Sequence, residues 1–403
     1  MEVLKIPLET VTPVFSGVEP RKDPEIRPPS IRGALRYWYR AALGGVIGDQ
    51  EVARLSALES ALFGAADEQS GASAVVLRLS AFKPGSAPQA NTFSRLCGAD
   101  GGQKPKYPGL AYLWFSARGS KEFAERTAWQ GSFDLTLQIR PGVPESAQKL
   151  KEAYLALWLW LNLGALGSRA RRGAGCLAVR EVLTTPLAEL PLQIQVETPS
   201  ALRQELQKGL VQVRQFLQGV YSEGKIAVPS AFDVLHPQVC RIFVLNKTYS
   251  SWQQALHELG ASYQRFRSRR DPDYRTVKES LTSGQALEKP VGRAAFGLPI
   301  QFYYRSLGGR GASLQSQHFE RRASPLHFHL SPLKGGKYAV VLVWFRAQFL
   351  PQGEKLRLRG ESKAALGPLP SEKLIETFLL GQDTVSHSSL KDRQLSLLEV
   401  NYA

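Results

Sequence analysis

The sequence is poor in cysteine and has no hydrophobic run long enough to cross a membrane. Its three cysteines, Cys97, Cys176 and Cys240, are far apart and odd in number, which fits neither a disulfide framework nor a CxxC zinc site. The most apolar stretch, AYLALWLWLNLGAL at 153–166, is too short to span a bilayer and predicts a buried helix. The first residues resemble neither a signal peptide nor a transit peptide. We therefore expect a cytoplasmic protein with no metal site and no membrane contact.

Acidic residues are scarce relative to basic ones. The 403 residues include 51 lysines and arginines against 35 aspartates and glutamates, which gives a net charge of +16. An excess of this size favours a polyanionic partner, nucleic acid first and an anionic membrane surface second. A GxxxxGK[ST] loop is also missing, so nucleotide hydrolysis has little support and no cofactor is predicted.

The order of the predicted elements indicates an α+β fold. Residues 1–190 follow the order β-α-β-β-α-β once an extra helix and an insertion are set aside, which is the ferredoxin-like pattern. A helical linker at 200–220 precedes a second set of elements, with strands predicted at 238–246, 294–304, 326–333 and 337–350. The chain exceeds the size at which one hydrophobic core usually stops growing. We therefore predict two tandem ferredoxin-like domains with inserted loops, at 1–190 and 191–403.

One short segment, IRPPSIRGALRYWYRAALGG at 26–45, combines arginines with aromatic rings. Ser30 is placed to cap a helix, and helical spacing puts Ile31, Leu35, Trp38 and Ala42 on its core face.

The arginines of this helix lie four residues apart, beside the core face. They are Arg32, Arg36 and Arg40. We predict that they neutralise successive phosphates of a nucleic-acid strand and that Tyr37 reaches solvent and stacks on a base. The alternative is a solvated cationic face that pairs with Glu19, Glu25 or Asp49, or with a neighbouring subunit.

A second basic segment, LGALGSRARRGAGCLAV at 163–179, is rich in glycine. Its glycines allow tight turns and the close approach of a ligand, and its backbone N–H groups can form an anion-binding concavity. Arg169, Arg171 and Arg172 add exposed guanidinium groups. We predict that this loop and the first helix converge on one nucleic-acid segment or subunit surface.

Further basic candidates lie in three other segments. They are Lys104 and Lys106 in the insertion SRLCGADGGQKPKYPGLAY, Arg267, Arg269 and Arg270 in YQRFRSRRDPDYRTVK, and Arg310, Arg321 and Arg322 around GGRGASLQSQHFE. Asp271 and Asp273 can pair with the second group locally, so ion pairing remains an equal alternative to contact with nucleic acid or a partner. The third group flanks a predicted mobile loop, which either grips phosphate or orders only in an assembled complex.

The segments TPVFSG, IRPPSIRGALRYWYRA, GALGSRARRGAG and ERRASPLHFHL resemble the RAMP superfamily of CRISPR proteins. Within that superfamily the sequence is most similar to the largest RAMP subunits of type III-B (Cmr) RNA-guided effector complexes. The resemblance implies two RAMP (RRM-like) domains of ferredoxin-like fold. It also implies a non-catalytic subunit in antiviral defence that contacts CRISPR guide RNA, single-stranded target RNA near the 3′ end of the guide, and other RAMP subunits. The target-cleaving aspartate of such complexes belongs to a different subunit, so Asp100 is assigned no catalytic role.

The histidines leave an alternative function open. Some RAMP relatives cut guide precursors without metal, by general acid and base chemistry that uses a histidine with a tyrosine or lysine nearby. The candidates here are His318, His327, His329 and Tyr303. His327 and His329 alternate on a predicted strand, where a pair is more often structural. A metal-independent endoribonuclease that processes CRISPR RNA is therefore the alternative.

Overall fold

The computed structural model describes residues 3–17, 23–65, 72–85, 88–99, 103–120, 122–181, 186–268, 270–359 and 365–403. Three residues named above, Glu19, Asp100 and Arg269, lie outside them. The helices are α1 (Pro28–Ile47), α2 (Val52–Phe63), α3 (Phe93–Leu96), α4 (Pro108–Leu113), α5 (Ser146–Leu163), α6 (Pro199–Val220), α7 (Trp252–Ser268), α8 (Asp273–Ser283) and α9 (Lys373–Leu379). The strands are β1 (Val3–Thr10), β2 (Val75–Pro84), β3 (Gly131–Ile139), β4 (Leu177–Val179), β5 (Cys240–Leu245), β6 (Ile300–Tyr304), β7 (Arg310–Ser316), β8 (Leu326–Leu333), β9 (Lys337–Phe345), β10 (Leu356–Arg359), β11 (Ala365–Gly367) and β12 (Leu397–Glu399).

The first sheet has the strand order β2-β3-β1-β4, and its paired strands are antiparallel. Alternation along β1 sends Ile6 and Leu8 into the core and leaves Lys5 and Glu9 exposed. The buried side chains share a core with Leu35 of α1. This order and connectivity are those of a ferredoxin-like unit.

The second sheet repeats the pattern with the order β12-β5-β9-β8. Strand β9 is buried on both faces, because Val341 and Val343 join the core of the first unit while Leu342 and Trp344 pack in a second core with α7 and α9. The prediction of an α+β fold with two ferredoxin-like units is confirmed. Because both cores draw residues from both units, the boundary between 190 and 191 stays a prediction.

A third sheet, with the order β11-β10-β7-β6, differs from the expectation. Its strands come from two insertions into the second unit, one before β8 and one after β9. The strand predicted at 294–304 covers only 300–304 and belongs to this third sheet. Residues 310–316 of the predicted mobile loop form strand β7. Ala312 and Leu314, two residues apart, lie on one face of this strand and pack in the small core of the third sheet.

Helix α1 follows the predicted pattern with one exception at its start. Ile31, Leu35, Trp38 and Ala42 are all buried, as the spacing predicts. Ser30 does not cap the helix, because Pro28 occupies the first position and Arg27 is the N-cap residue, with no side-chain cap hydrogen bond. No helix within the described part of the chain is long and apolar enough to cross a membrane.

Candidate nucleic-acid interface

A cleft of about 1510 Å³ lies among the two ferredoxin-like units and the start of the third sheet. Its walls come from α3 and α4, the glycine-rich loop, the second half of α7, and the segments 293–301 and 321–324. Nine arginines line it: Arg95, Arg118, Arg169, Arg171, Arg172, Arg267, Arg293, Arg321 and Arg322. Glu125 is the one acidic side chain among its described lining residues. The cleft is therefore a strongly cationic surface of the kind that takes a polyanion.

The glycine-rich loop forms one wall through turns that ordinary residues adopt with difficulty. Gly175 has a positive φ of 77°, and a Cβ there would lie 2.0 Å from the Leu166 carbonyl oxygen. Arg169 itself is left-handed, with φ 63°, and its Nε donates to the Ser116 hydroxyl at 2.6 Å. These turns direct successive arginine side chains towards the cleft.

Some backbone N–H groups of the loop are already bonded. Ser168 donates to the Phe15 carbonyl, Gly175 donates to that of Pro13, and Arg172 and Ala174 donate to that of Arg169. These four groups do not contribute to an anion-binding concavity, and a concavity built from the rest of the loop stays a prediction.

The expectation that the three loop arginines are exposed cations is wrong, because all three are half-buried and Arg171 and Arg172 also bond to the second unit. The Arg172 guanidinium donates to the carbonyls of Leu326 at 2.8 Å and Phe296 at 3.3 Å and to the Tyr263 hydroxyl at 2.9 Å. Arg171 donates to the Ser324 carbonyl and to Asp233. These two residues fasten the loop of the first unit to β8 and α7 of the second.

Burial perturbs the arginines that line the cleft. Together with a smaller effect from the neighbouring Arg172, it lowers the pKa of Arg169 to about 10. Burial also lowers the pKa values of Arg172 and Arg293. With a pKa of about 10, Arg169 is charged near neutral pH and can stabilise a bound anion.

The opposite wall is formed by α7 and the segment after α8. Arg267 donates to the Tyr112 hydroxyl at 2.9 Å and lies 5.1 Å from the centre of the Tyr263 ring. Arg293 lies 3.6 Å from Asp273, which also accepts hydrogen bonds from the Gly292 and Arg293 backbone. The local pairing expected between Asp273 and the arginines of 267–270 is therefore replaced by pairing with Arg293.

Sequence reasoning missed four residues of the cleft: Arg95, Arg118, Arg293 and Phe115. The first two and Phe115 come from the insertion between β2 and β3, which has no periodicity to reveal which side chains face inward. The Phe115 ring is 62% exposed although it lines the cleft. The segment FSAR at 115–118 combines an aromatic ring with an arginine, which is a pattern of nucleic-acid contact, but four residues are too few to support a prediction.

The arginines of α1 occupy a different environment. Arg36 pairs with Glu59 of α2, and Arg40 approaches the same carboxylate at 3.2 Å. Glu59 is buried and was not among the acidic partners considered from the sequence. Arg32, Arg36 and Arg40 do not line the cleft, so their role in binding nucleic acid stays a prediction with less support.

Tyr37 does bring α1 to the glycine-rich loop, as the predicted convergence requires. Its hydroxyl donates to Asp233 at 2.9 Å, its ring stacks on His327 with centroids 5.9 Å apart, and the Arg171 guanidinium lies 5.2 Å from the ring centre. Burial and the Asp233 carboxylate raise the pKa of Tyr37. A base could stack on Tyr37 only if some of these contacts were given up.

The remaining basic candidates are scattered. Lys104 and Lys106 are exposed near the cleft but do not line it, and Arg310 is exposed at the start of β7. Arg270 pairs with Asp383 at 3.1 Å and covers the Phe266 ring, which makes it part of the fold.

The candidate nuclease residues come from different elements: His327 and His329 lie on β8, His318 follows β7, and Tyr303 lies on β6. His329 is buried, its Nδ1–H donates to the Gly164 carbonyl, and burial lowers its pKa to about 4. Burial and nearby arginines lower the pKa of His327 well below its ordinary value. His318 contacts Glu354. Within the described ranges, no cluster of three or more His, Cys, Asp or Glu side chains could hold a metal ion.

Comparisons with known proteins agree with the resemblance stated from the sequence. Residues 7–178 match the family model of the RAMP superfamily. The chain is 27% identical over 335 residues to the CRISPR system Cmr subunit Cmr1-1 of Pyrococcus furiosus, covering 82% of this chain and 84% of that protein. The Cmr1-2 subunit of the same organism is 29% identical over 181 residues, covering 43% of this chain and 92% of that protein.

The similarity of fold extends over the whole chain. The apo crystal structure of Cmr1 from Pyrococcus furiosus matches with a TM-score of 0.58 at 19% identity, covering 99% of both chains. The resemblance to the RAMP superfamily stated from the sequence is confirmed.

Proposed function

We propose that this protein is a non-catalytic RNA-binding subunit of a type III-B CRISPR effector complex. In this proposal it contacts guide RNA and single-stranded target RNA near the 3′ end of the guide, next to other RAMP subunits in the cytoplasm. The observation that carries the proposal is the cleft, whose described lining has nine arginines against one acidic side chain. Both Pyrococcus relatives are Cmr subunits, which supports placement in such a complex.

The cleft suits the backbone of a single strand better than a specific base sequence. Exposed arginines, including Arg95, Arg118 and Arg321, lie where they can neutralise phosphates. Phosphate contacts position a strand but carry no sequence information, so pairing with the guide would supply specificity.

A charge-reversal experiment tests this proposal. Arg118→Glu combined with Arg321→Glu changes two exposed cleft residues, and Arg54→Glu combined with Arg78→Glu changes two exposed arginines outside the cleft by the same net charge. We expect the cleft pair to weaken binding of unrelated single-stranded RNAs by roughly tenfold or more. Equally weakened binding for the two pairs would contradict the cleft as the binding site.

The non-catalytic part of the proposal rests on the burial of His327 and His329 and on the contact of the exposed His318 with Glu354. Repeat RNA incubated with the protein in EDTA should remain intact, because a general acid or base must reach the proton it transfers. A defined fragment ending in a cyclic phosphate, abolished by His327→Ala or His318→Ala, would favour the endoribonuclease instead.

A further inference from the structure

A second cavity, of about 450 Å³, opens beside the main cleft. We infer that it binds one unstacked nucleobase of the RNA strand whose phosphates lie in the cleft, with Phe319 as the stacking ring. The inference rests on the proposed function, since it assigns a base-binding position to the same ligand. We call this cavity the side pocket; it is lined by Tyr37, Arg40, Ala231, Phe232, Asp233, Phe319, Arg321, Arg322, Gln348, Phe349, Leu350 and Pro351.

The side pocket differs from the cleft in the chemistry of its walls. Four aromatic rings and several aliphatic residues line it, and its volume lies within the range of about 300–1,000 Å³ usual for small-ligand pockets. Asp233 also lines it, and its carboxylate accepts the Tyr37 hydroxyl and pairs with Arg171 and Arg322. The three lining arginines can contact the phosphates that flank a bound base. A flat, largely apolar group with polar edges fits these walls, and a nucleobase is such a group.

The two cavities are adjacent, because they share two lining residues. Arg321 and Arg322 line both of them. Arg321 is exposed, whereas Arg322 is held by its Nε, which donates to the Phe349 carbonyl at 2.8 Å, and by Asp233 at 3.5 Å. An RNA strand whose phosphate is bound at Arg321 would therefore have a neighbouring base within reach of the side pocket.

Phe319 is exposed to 49%, yet its backbone is held in place. Its N–H donates to the Ser316 hydroxyl at 3.2 Å, and that hydroxyl donates to the buried carboxylate of Glu354. The same carboxylate accepts the His318 backbone N–H at 2.7 Å. An exposed ring on an anchored turn loses little conformational freedom when a base stacks on it, which favours binding.

The side pocket is tested with two single-stranded probes of equal length, an oligouridine and an abasic ribose-phosphate oligomer, measured at low salt. Phe319→Ala should weaken binding of the oligouridine by roughly 5- to 150-fold, the range expected for loss of one base–aromatic stack. It should leave binding of the abasic oligomer unchanged, and Phe319→Trp should retain the affinity of the parent. Tyr303→Ala is the matched control, because Tyr303 is 63% exposed and lines neither cavity.

The outcomes separate the side pocket from the proposed function. If the parent binds neither probe, the proposed function itself is contradicted. If the parent binds both probes and Phe319→Ala loses affinity for neither, or for both equally, RNA binding stands and the side pocket is overturned. A loss as large in Tyr303→Ala as in Phe319→Ala also overturns it.

Discussion

The arginines of α1 and those of the glycine-rich loop look alike in the sequence and differ in their surroundings. Arg36 and Arg40 converge on the buried carboxylate of Glu59, which lies on the next helix. The loop arginines face a cleft whose described lining includes one acid, Glu125, and that acid is occupied by the Ser94 hydroxyl and N–H. Whether an arginine can bind phosphate thus depends on whether the fold places a carboxylate next to it.

The loop arginines also differ from one another. Arg169 donates to the Ser116 hydroxyl, whereas Arg171 and Arg172 bond to carbonyls of the second unit. The loop therefore does two things: part of its charge holds the two units together, and the rest remains available for a ligand.

The largest expected effect is on stability, from Arg172→Ala. This change removes the hydrogen bonds that the guanidinium donates to the Phe296 and Leu326 carbonyls and the Tyr263 hydroxyl, although Leu326 keeps the Ser324 hydroxyl as a donor. The expected cost is about 3 kcal/mol in the free energy of unfolding. Urea denaturation measures this cost. Arg169→Ala, in the same loop, is the control and should change stability by less than about 1 kcal/mol. Equal effects would contradict the division of roles within the loop.

The next effect concerns His329, which contacts Gly164 at the start of the glycine-rich loop, and the pH dependence of the free energy of unfolding. The pKa of His329 is about 4 in the folded protein, against 6.5 for an unperturbed histidine. The unfolded chain binds more protons below pH 6.5, so stability falls as the pH drops from there towards 4, by on the order of 2 kcal/mol at pH 5.

His329→Asn tests that dependence, because its amide can still donate to the Gly164 carbonyl but does not titrate. Urea denaturation at pH 7 and pH 5 should show a smaller pH difference in the variant than in the parent. An unchanged difference would assign the pH dependence to other groups.

The smallest effect is expected on α1. Arg40→Ala leaves Glu59 paired with Arg36, and Arg40 is a largely exposed cation. The change should cost about 0.5 kcal/mol or less in the free energy of unfolding. Thermal melts compare it with Arg36→Ala; a greater destabilisation by Arg40→Ala would contradict the assignment of Arg36 as the main partner of Glu59.

Local periodicity accounts for what the sequence predicted well. The core face of α1 and the strand 326–333 follow from side-chain spacing over a few residues. The third sheet escaped prediction because β7 and β10 pair across two insertions, 40 residues apart, with Leu358 opposite Leu314. The pairing of Arg36 with Glu59 depends likewise on how α2 packs on α1, which no local pattern encodes.

The cleft was predicted in part for a related reason. Six of its nine arginines, in the glycine-rich loop, on α7 and before β8, were identified from charge alone. The charge pattern of the sequence predicted Arg32, Arg36 and Arg270 as binding residues in the same way, but these three arginines lie outside the cleft. Only the packing of the two units against each other shows which arginines share one surface.

The most direct test of the account is the salt dependence of single-stranded RNA binding. Arg95→Ala, Arg118→Ala and Arg321→Ala together form a cleft variant, and Arg54→Ala, Arg78→Ala and Arg140→Ala, at exposed arginines that line neither cavity, together form a surface variant with the same change in net charge. The slope of log affinity against log salt should fall in magnitude by roughly 0.7 for each phosphate that the cleft variant no longer neutralises, and it should match the parent in the surface variant. A reduced slope in the surface variant, with the parental slope in the cleft variant, would contradict the claim that the cleft is where RNA binds.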